Sequence, residues 1–169
     1  DPHRLLEGIL IACYAIGAHV AYIYVRGELK FSQERLEAAI AEAEAKGYVG
    51  DRSFGTGFSV RVYVHSGAGA YICGEETALL NSLEGRRGEP RIKPPFPAVK
   101  GAFGQPTIVN NVETIAAVSS VVELGGEAWQ ALSRLPNDGG VRLYGVAGHV
   151  KKPGIYEAPV GITMRELID

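Results

Sequence analysis

The sequence predicts an α/β fold built on a parallel sheet, and three observations carry that reading. A β-branched and aromatic run, an Ala/Glu-rich helical run and an alternating apolar/polar run follow one another between His19 and His65. Strand, helix, strand with a crossover of that length is a βαβ unit, which favours parallel pairing. Glycine is the compositional outlier, 22 residues of 169, against an average of about 7%. The second strand runs into Ser66-Gly67-Ala68-Gly69-Ala70, and ligands of open parallel sheets sit at the carboxyl ends of the strands.

Taken in order, Leu5 to Ala18 is apolar enough for a buried helix that starts near Asp1 or Pro2. His19–Arg26 reads as a buried strand ended by Gly27. Ser32 to Lys46 is rich in helix formers, with Ser32 as the N-cap and Gly47 as the terminator. Phe58 to His65 alternates and forms the second strand. A helix follows from about Glu75 to Leu83, then a Pro-rich loop, then a helix from about Asn111 to Glu123. The turn cluster Pro136-Asn137-Asp138-Gly139-Gly140 separates these from a strand over Val141–Ala147 and a new helix at Thr163–Ile168. A domain boundary is expected near Leu135–Gly140, giving an α/β domain over 1–136 and the opening of a second domain over 137–169.

Composition narrows the functional classes. Hydrophobic residues make up 46% and charged ones 21%, which excludes wholesale disorder. With Lys+Arg 17 against Asp+Glu 19 the chain lacks the basic excess of a nucleic-acid binder. No apolar run approaches the roughly 20 residues that cross a bilayer. Cys13 and Cys73 lie far apart with no C-x-x-C pair, which disfavours a disulfide framework and a four-thiolate metal site. His3, His19, His65 and His149 show no metal-ligand spacing, and no metal site is assigned. The chain starts at Asp1 and its only methionine is Met164, so it reads as a piece of something longer.

The strongest local signal is Ser66-Gly67-Ala68-Gly69-Ala70-Tyr71-Ile72-Cys73-Gly74-Glu75-Glu76-Thr77. Small residues let the backbone approach a ligand, and a helix beginning near Gly74 would aim free N–H groups at an anion or a ring carbonyl. The run departs from both the dinucleotide fingerprint and the Walker loop. Spacing alone leaves open a nucleotide or flavin site and a merely tight turn. Glu75 and Glu76 open the helix, where carboxylates gain from its dipole; a ribose-binding role is the functional alternative.

Arg86, Arg87, Arg91 and Lys93 follow in the Pro-rich loop, as four isolated surface cations or as a phosphate lure. Pro94 to Pro97 is expected to be extended and stiff, holding Phe96 where it can stack on a planar ring or plug the core. Asn110 is expected to cap the next helix, with Glu113 completing a capping box. Asn111, Thr107 and Thr114 exceed what capping needs and suit the polar rim of a flavin or sugar-phosphate. Cys73 has no base beside it and reads as a packed residue.

The stretch GAGAYICGEETALLNSLEGRRGEPRIKPPFPAVKGAFGQPTIVNNVET, with DPHRLLEGILIACYAIGAHVAYIYVRGE before it, resembles the FMN- and NADH-binding flavoprotein subunit of respiratory NADH dehydrogenase (complex I). Flavoprotein subunits of NAD-reducing hydrogenases and NAD-dependent formate dehydrogenases share the pattern. LYGVAGHVKKPGIYEAPVGITMRELID resembles the opening of that family's β-grasp domain of the soluble ligand-binding type. The resemblance implies a Rossmann-like parallel-sheet flavin/nucleotide-binding domain, incomplete here, followed by the start of the β-grasp domain. It implies FMN along Gly67, Gly69, Gly74 and Glu75, with Asn110, Asn111 and Thr114 on the far side. Tyr71, Glu76 and Phe96 would face NADH.

The implied activity is hydride transfer from NADH to FMN, with electrons passing to iron–sulfur clusters and on to quinone; a hydrogenase or formate dehydrogenase subunit is the alternative, and a non-catalytic scaffold a further one. Hydride transfer needs positioning rather than an acid or base, so no catalytic residue is assigned. The implied partners are the other subunits of an NADH-oxidising complex, with no nucleic acid and no direct membrane insertion. The implied location is cytoplasmic, on the peripheral face of the inner membrane through those subunits. The family's glycine-rich N-terminal loop and its cysteine-rich segment that ligates a 4Fe-4S cluster are both expected to lie outside this chain. The isolated piece is therefore expected to be inactive.

Overall fold

A computed structural model describes residues 1–169. It resolves into two compact units, Asp1–Ile115 and Ala116–Asp169, and each is described by itself.

In the first unit, α1 (Pro2–Ile16) begins on Asp1, whose carboxylate accepts from the Arg4 N–H, with Pro2 in the first turn. Gly17 closes it in the left-handed region (φ 69°), where a side chain would be strained. β1 (Val20–Val25) follows, then α2 (Lys30–Ala45), then β2 (Arg61–Ser66). The strands pair in parallel, Tyr22 opposite Tyr63 and Tyr24 opposite His65, so the predicted βαβ unit is present.

Three details differ from the sequence reading. Helix α2 starts at Lys30, two residues before Ser32, and no side chain caps it. The Gln33 amide instead donates to the Arg26 carbonyl, which ties the helix start to the end of β1. β1 is not buried on both sides: Ile23 is in the core, whereas Tyr22 stacks on Tyr63 on an open face. Full cover of both faces is what makes a parallel strand uniformly apolar, and Tyr22, 42% exposed, lacks it. β2 starts at Arg61 rather than Phe58, because Val60 turns aside to bridge Gly50.

The core collects Leu5 and Leu6 of α1, Leu36, Ala39, Ile40 and Ala43 of α2, and Val60 and Val62 beside or in β2. The α2 residues recur at helical spacing and form one stripe. α1 approaches the start of α4 (Val112–Leu124) so closely that a Cβ on Gly8 would stand 1.9 Å from the Ile115 carbonyl oxygen. Cys13 and Cys73 are both free and buried, and burial pushes the Cys13 thiol up.

After β2, a 3₁₀ turn (Tyr71–Gly74) leads into α3 (Glu76–Leu83). The Pro-rich segment is not extended: the Lys93–Pro94 and Pro94–Pro95 peptide bonds are cis. A proline amide lacks the strong trans preference of other residues.

In the second unit, α5 (Gly126–Ala131) precedes an antiparallel hairpin of β3 (Val141–Val146) and β4 (Gly154–Pro159). The final helix, α6 (Met164–Ile168), opens on a capping box: the Glu166 N–H donates to the Thr163 hydroxyl, and the Thr163 N–H donates to the Glu166 carboxylate. No helix is long and apolar enough to cross a membrane.

Candidate functional site

The loop that leaves β2 is held from below by Tyr24 of β1. A Cβ on Gly67 would stand 2.7 to 2.9 Å from the Tyr24 ring and hydroxyl, so this glycine serves close packing. The Tyr24 hydroxyl reaches Ser82 of α3 at 2.9 Å, joining strand, loop and helix. Burial raises the Tyr24 pKa, so the phenol stays protonated and can donate. Gly69 adopts φ 84°, and only the Glu28 carboxylate comes within 4 Å of where its side chain would begin. At Gly74 nothing comes that close. Backbone is therefore accessible at Gly69 and Gly74 but not at Gly67.

Glu75 caps α3 with its own side chain. One oxygen, Oε2, accepts from the Thr77 hydroxyl at 2.6 Å, the Thr77 N–H at 2.9 Å and the Ala78 N–H at 2.8 Å. Two of the expected free N–H groups at this helix start, those of Thr77 and Ala78, are thus already bound by the chain's own carboxylate. The Thr77 hydroxyl and those two N–H groups hold the Glu75 carboxyl below the usual carboxylate range. Glu76, the next residue, pairs with Lys93, whose ammonium also stands 3.9 Å from Glu75 Oε1. Hydrogen bonding to Glu76 raises the Lys93 pKa, so this group remains cationic.

The four loop cations are not isolated. Arg86 stands 3.6 Å from Glu84, Arg87 3.1 Å from Glu89, Arg91 2.8 Å from Glu84, and Lys93 lies on Glu76. Each has a carboxylate within reach, so the four are not the isolated cations the sequence allowed, although Arg86 and Arg87 remain exposed on the surface. The Arg91–Glu84 pair is the inner one: the Glu84 side chain is only 9% exposed and also accepts from the Phe103 N–H. Burial pushes the Glu84 carboxyl up, but Arg91 and the Phe103 N–H outweigh it and leave the pKa lowered.

Tyr71 is 98% exposed and Phe96 58%, so neither aromatic plugs the core. Asn110, Asn111 and Thr114 are exposed as well. Helix α4 begins at Val112, which leaves Asn111 rather than Asn110 directly before it. Direct contacts bring Glu75, Glu76 and Lys93 together; Asn110, Asn111, Thr114 and Phe96 are exposed groups of the same unit. Sequence reasoning assigned no role to Thr77, Glu84 or Tyr24. The order Glu75-Glu76-Thr77 held a usable signal for Thr77, since a capping acid bonds the backbone two and three residues on.

The Nuo51 FMN-binding domain matches residues 1–120, and the SLBB domain matches residues 143–169. The chain belongs to the Nuo51 FMN-binding domain family. An NADH-quinone oxidoreductase subunit of Mycobacterium tuberculosis is 58% identical over 168 residues, which is 99% of this chain and 38% of that protein. Mitochondrial NADH dehydrogenase [ubiquinone] flavoprotein 1 of Dictyostelium discoideum is 51% identical, over 100% of this chain and 35% of its own length. An NAD+-reducing nickel–iron hydrogenase solved in its hydrogen-reduced state superposes with a TM-score of 0.87 at 41% identity, covering 99% of this chain and 28% of that one. The chain thus spans less than two fifths of the M. tuberculosis and D. discoideum relatives, and the resemblance stated from the sequence holds.

A flavin suits the residues present in one respect and not in another. Open backbone at Gly69 and Gly74, beside an exposed Tyr71, fits the close approach of a planar ring. The start of α3 suits a phosphate poorly, because Glu75 occupies the Thr77 and Ala78 N–H groups and places a carboxylate there.

Proposed function

We propose that this chain is the central part of a flavoprotein subunit that binds FMN and NADH, takes hydride from NADH and sends electrons through iron–sulfur clusters towards quinone. When bound, FMN supplies a hydride acceptor that can release electrons singly. Gly69 and Gly74 offer their backbone to the flavin, while Gly67 shapes the turn by packing on Tyr24. Glu75, Asn110, Asn111 and Thr114 supply polar groups to its rim, and Tyr71, Glu76 and Phe96 face the dinucleotide. These residues position the ligands; Glu75 is held ionised, Glu76 is paired with Lys93, and hydride transfer asks for no proton donor.

The observation that carries this reading is unobstructed backbone at Gly74 directly beside the Glu75, Glu76 and Lys93 cluster. Residues 1–136 form the FMN/NADH domain and 137–169 open a β-grasp domain, with partner subunits holding the protein at the cytoplasmic, peripheral face of the inner membrane. The 4Fe-4S cluster is ligated outside this chain. The test is the flavin content of the intact subunit carrying Asn110→Ala and Asn111→Ala. Loss of FMN from folded protein is expected, and full retention overturns the assignment.

The likeness to the NAD+-reducing hydrogenase favours a second reading with the same two ligands and a different electron partner. NADH-dependent reduction of a soluble quinone by the purified complex separates it from the first.

A further inference from the structure

We propose that Thr77 and Arg91 are positioning residues of the dinucleotide site, fixing the Arg91–Lys93 segment against the start of α3 so that the Lys93 ammonium serves both Glu75 and Glu76. The inference rests on the NADH reading above. Lys93 reaches those carboxylates from a loop 17 residues away, and loops are where a chain is least determined locally. Something has to set where that loop stands.

The Thr77 hydroxyl does so at one end. It is 1% exposed, donates to Glu75 Oε2 at 2.6 Å and accepts from the Arg91 N–H at 2.7 Å. A hydroxyl has one proton to give and lone pairs to receive, so this single group links the capping carboxylate to the loop backbone. The Arg91 guanidinium sets the other end: Nε donates to Asn81 Oδ1 at 2.8 Å, Nη1 to the Gly101 carbonyl at 3.2 Å, and Nη2 stands 2.8 Å from Glu84. The planar fork thus spans α3 and the loop near Gly101, and Lys93 lies two residues beyond it. Without that ammonium, two adjacent carboxylates would face an anionic dinucleotide and repel it.

The test combines steady-state kinetics of the intact, flavin-loaded protein with its equilibrium binding of NADH by calorimetry. Thr77→Val removes both bonds at constant shape and is expected to raise the NADH Kd and KM about tenfold, the effect of one charge-assisted hydrogen bond, with kcat within about twofold. Thr77→Ser keeps both bonds and is expected to restore binding. Arg91→Lys keeps the charge facing Glu84 but loses the fork, and reproduces the defect should Thr77→Val fail to fold. Because Thr77 acts through Lys93, adding Thr77→Val to Lys93→Met is expected to change Kd no further. Wild-type binding by Thr77→Val and Arg91→Lys, or a full additional loss on the Lys93→Met background, overturns the positioning role. If the unaltered protein does not bind NADH, the site reading fails and this inference with it.

Discussion

Glu75 folds back onto Thr77: one carboxylate oxygen takes both the hydroxyl and the backbone N–H of the residue two ahead, at 2.6 and 2.9 Å. The helix start that the sequence offers to an anion therefore takes Glu75 itself as one. The dipole and two N–H groups stabilise the ionised form, and in turn the ionised form starts the helix.

Loss of this cap has a thermal signature. Glu75→Ala is expected to lower stability by about 1 to 2 kcal/mol, as for other caps, read as a reduced Tm. The pH dependence follows from the lowered pKa. The cap contributes fully above the ordinary carboxylate value of 4.5, and its contribution fades as acid protonates the folded-state carboxyl below that. An unfolding series in which wild type and Glu75→Ala differ equally at pH 3 and pH 7 contradicts it.

The two open glycines and the packed one behave differently. Gly67→Ala drives a Cβ to within 2.7 Å of the Tyr24 hydroxyl, and overpacking of this kind costs about 1 to 3 kcal/mol. Gly74→Ala has free space at its Cβ and leaves the fold intact. If the flavin lies along this loop, Gly74→Ala lowers flavin content without lowering the Tm of the flavin-free protein, and circular dichroism with flavin absorbance distinguishes the two variants.

The inner ion pair resists removal of one partner. Glu84→Ala strips Arg91 of its carboxylate and the Phe103 N–H of its acceptor. The expected cost is about 3 kcal/mol, the low end for breaking a buried pair, against under about 1 kcal/mol for Glu89→Ala at the exposed Arg87 pair. Denaturant unfolding of the two variants side by side measures the contrast.

In the second unit, the Arg134 guanidinium, at 2.7 Å, and the Thr163 N–H and hydroxyl lower the Glu166 pKa to about 2. The pair and its capping box are fully formed above the ordinary value of 4.5 and are lost as pH falls from there through about 2. A carboxyl-carbon NMR titration is expected to show that midpoint, and Arg134→Ala to move it upward towards the ordinary value. A midpoint near 4.5 in the unaltered protein contradicts the pairing.

Where local signals acted alone, the sequence was readable. Asp1 with Pro2 marked the start of α1, Glu75 the start of α3, and Thr163 with Glu166 stood three apart as a box requires. Ser32 misled because a good capping residue does not start a helix when the chain has already turned helical two residues earlier, its Gln33 side chain bound to Arg26 just past β1. Helix α5 and strand β4 went unread, since one opens on Gly126 and the other runs from Gly154 to Pro159, residues that weaken helix and strand signals.

The sequence by itself determined the βαβ unit, the glycine-rich turn after its second strand, the acidic helix start and the family, because each is written in neighbouring residues or in their period. Only the tertiary structure decided that Gly67 packs on Tyr24 while Gly74 lies open, that Arg91 clamps Glu84 seven positions away, and that Lys93 spans seventeen to reach Glu76. Such pairings depend on where a loop closes in space, and no local propensity encodes that distance.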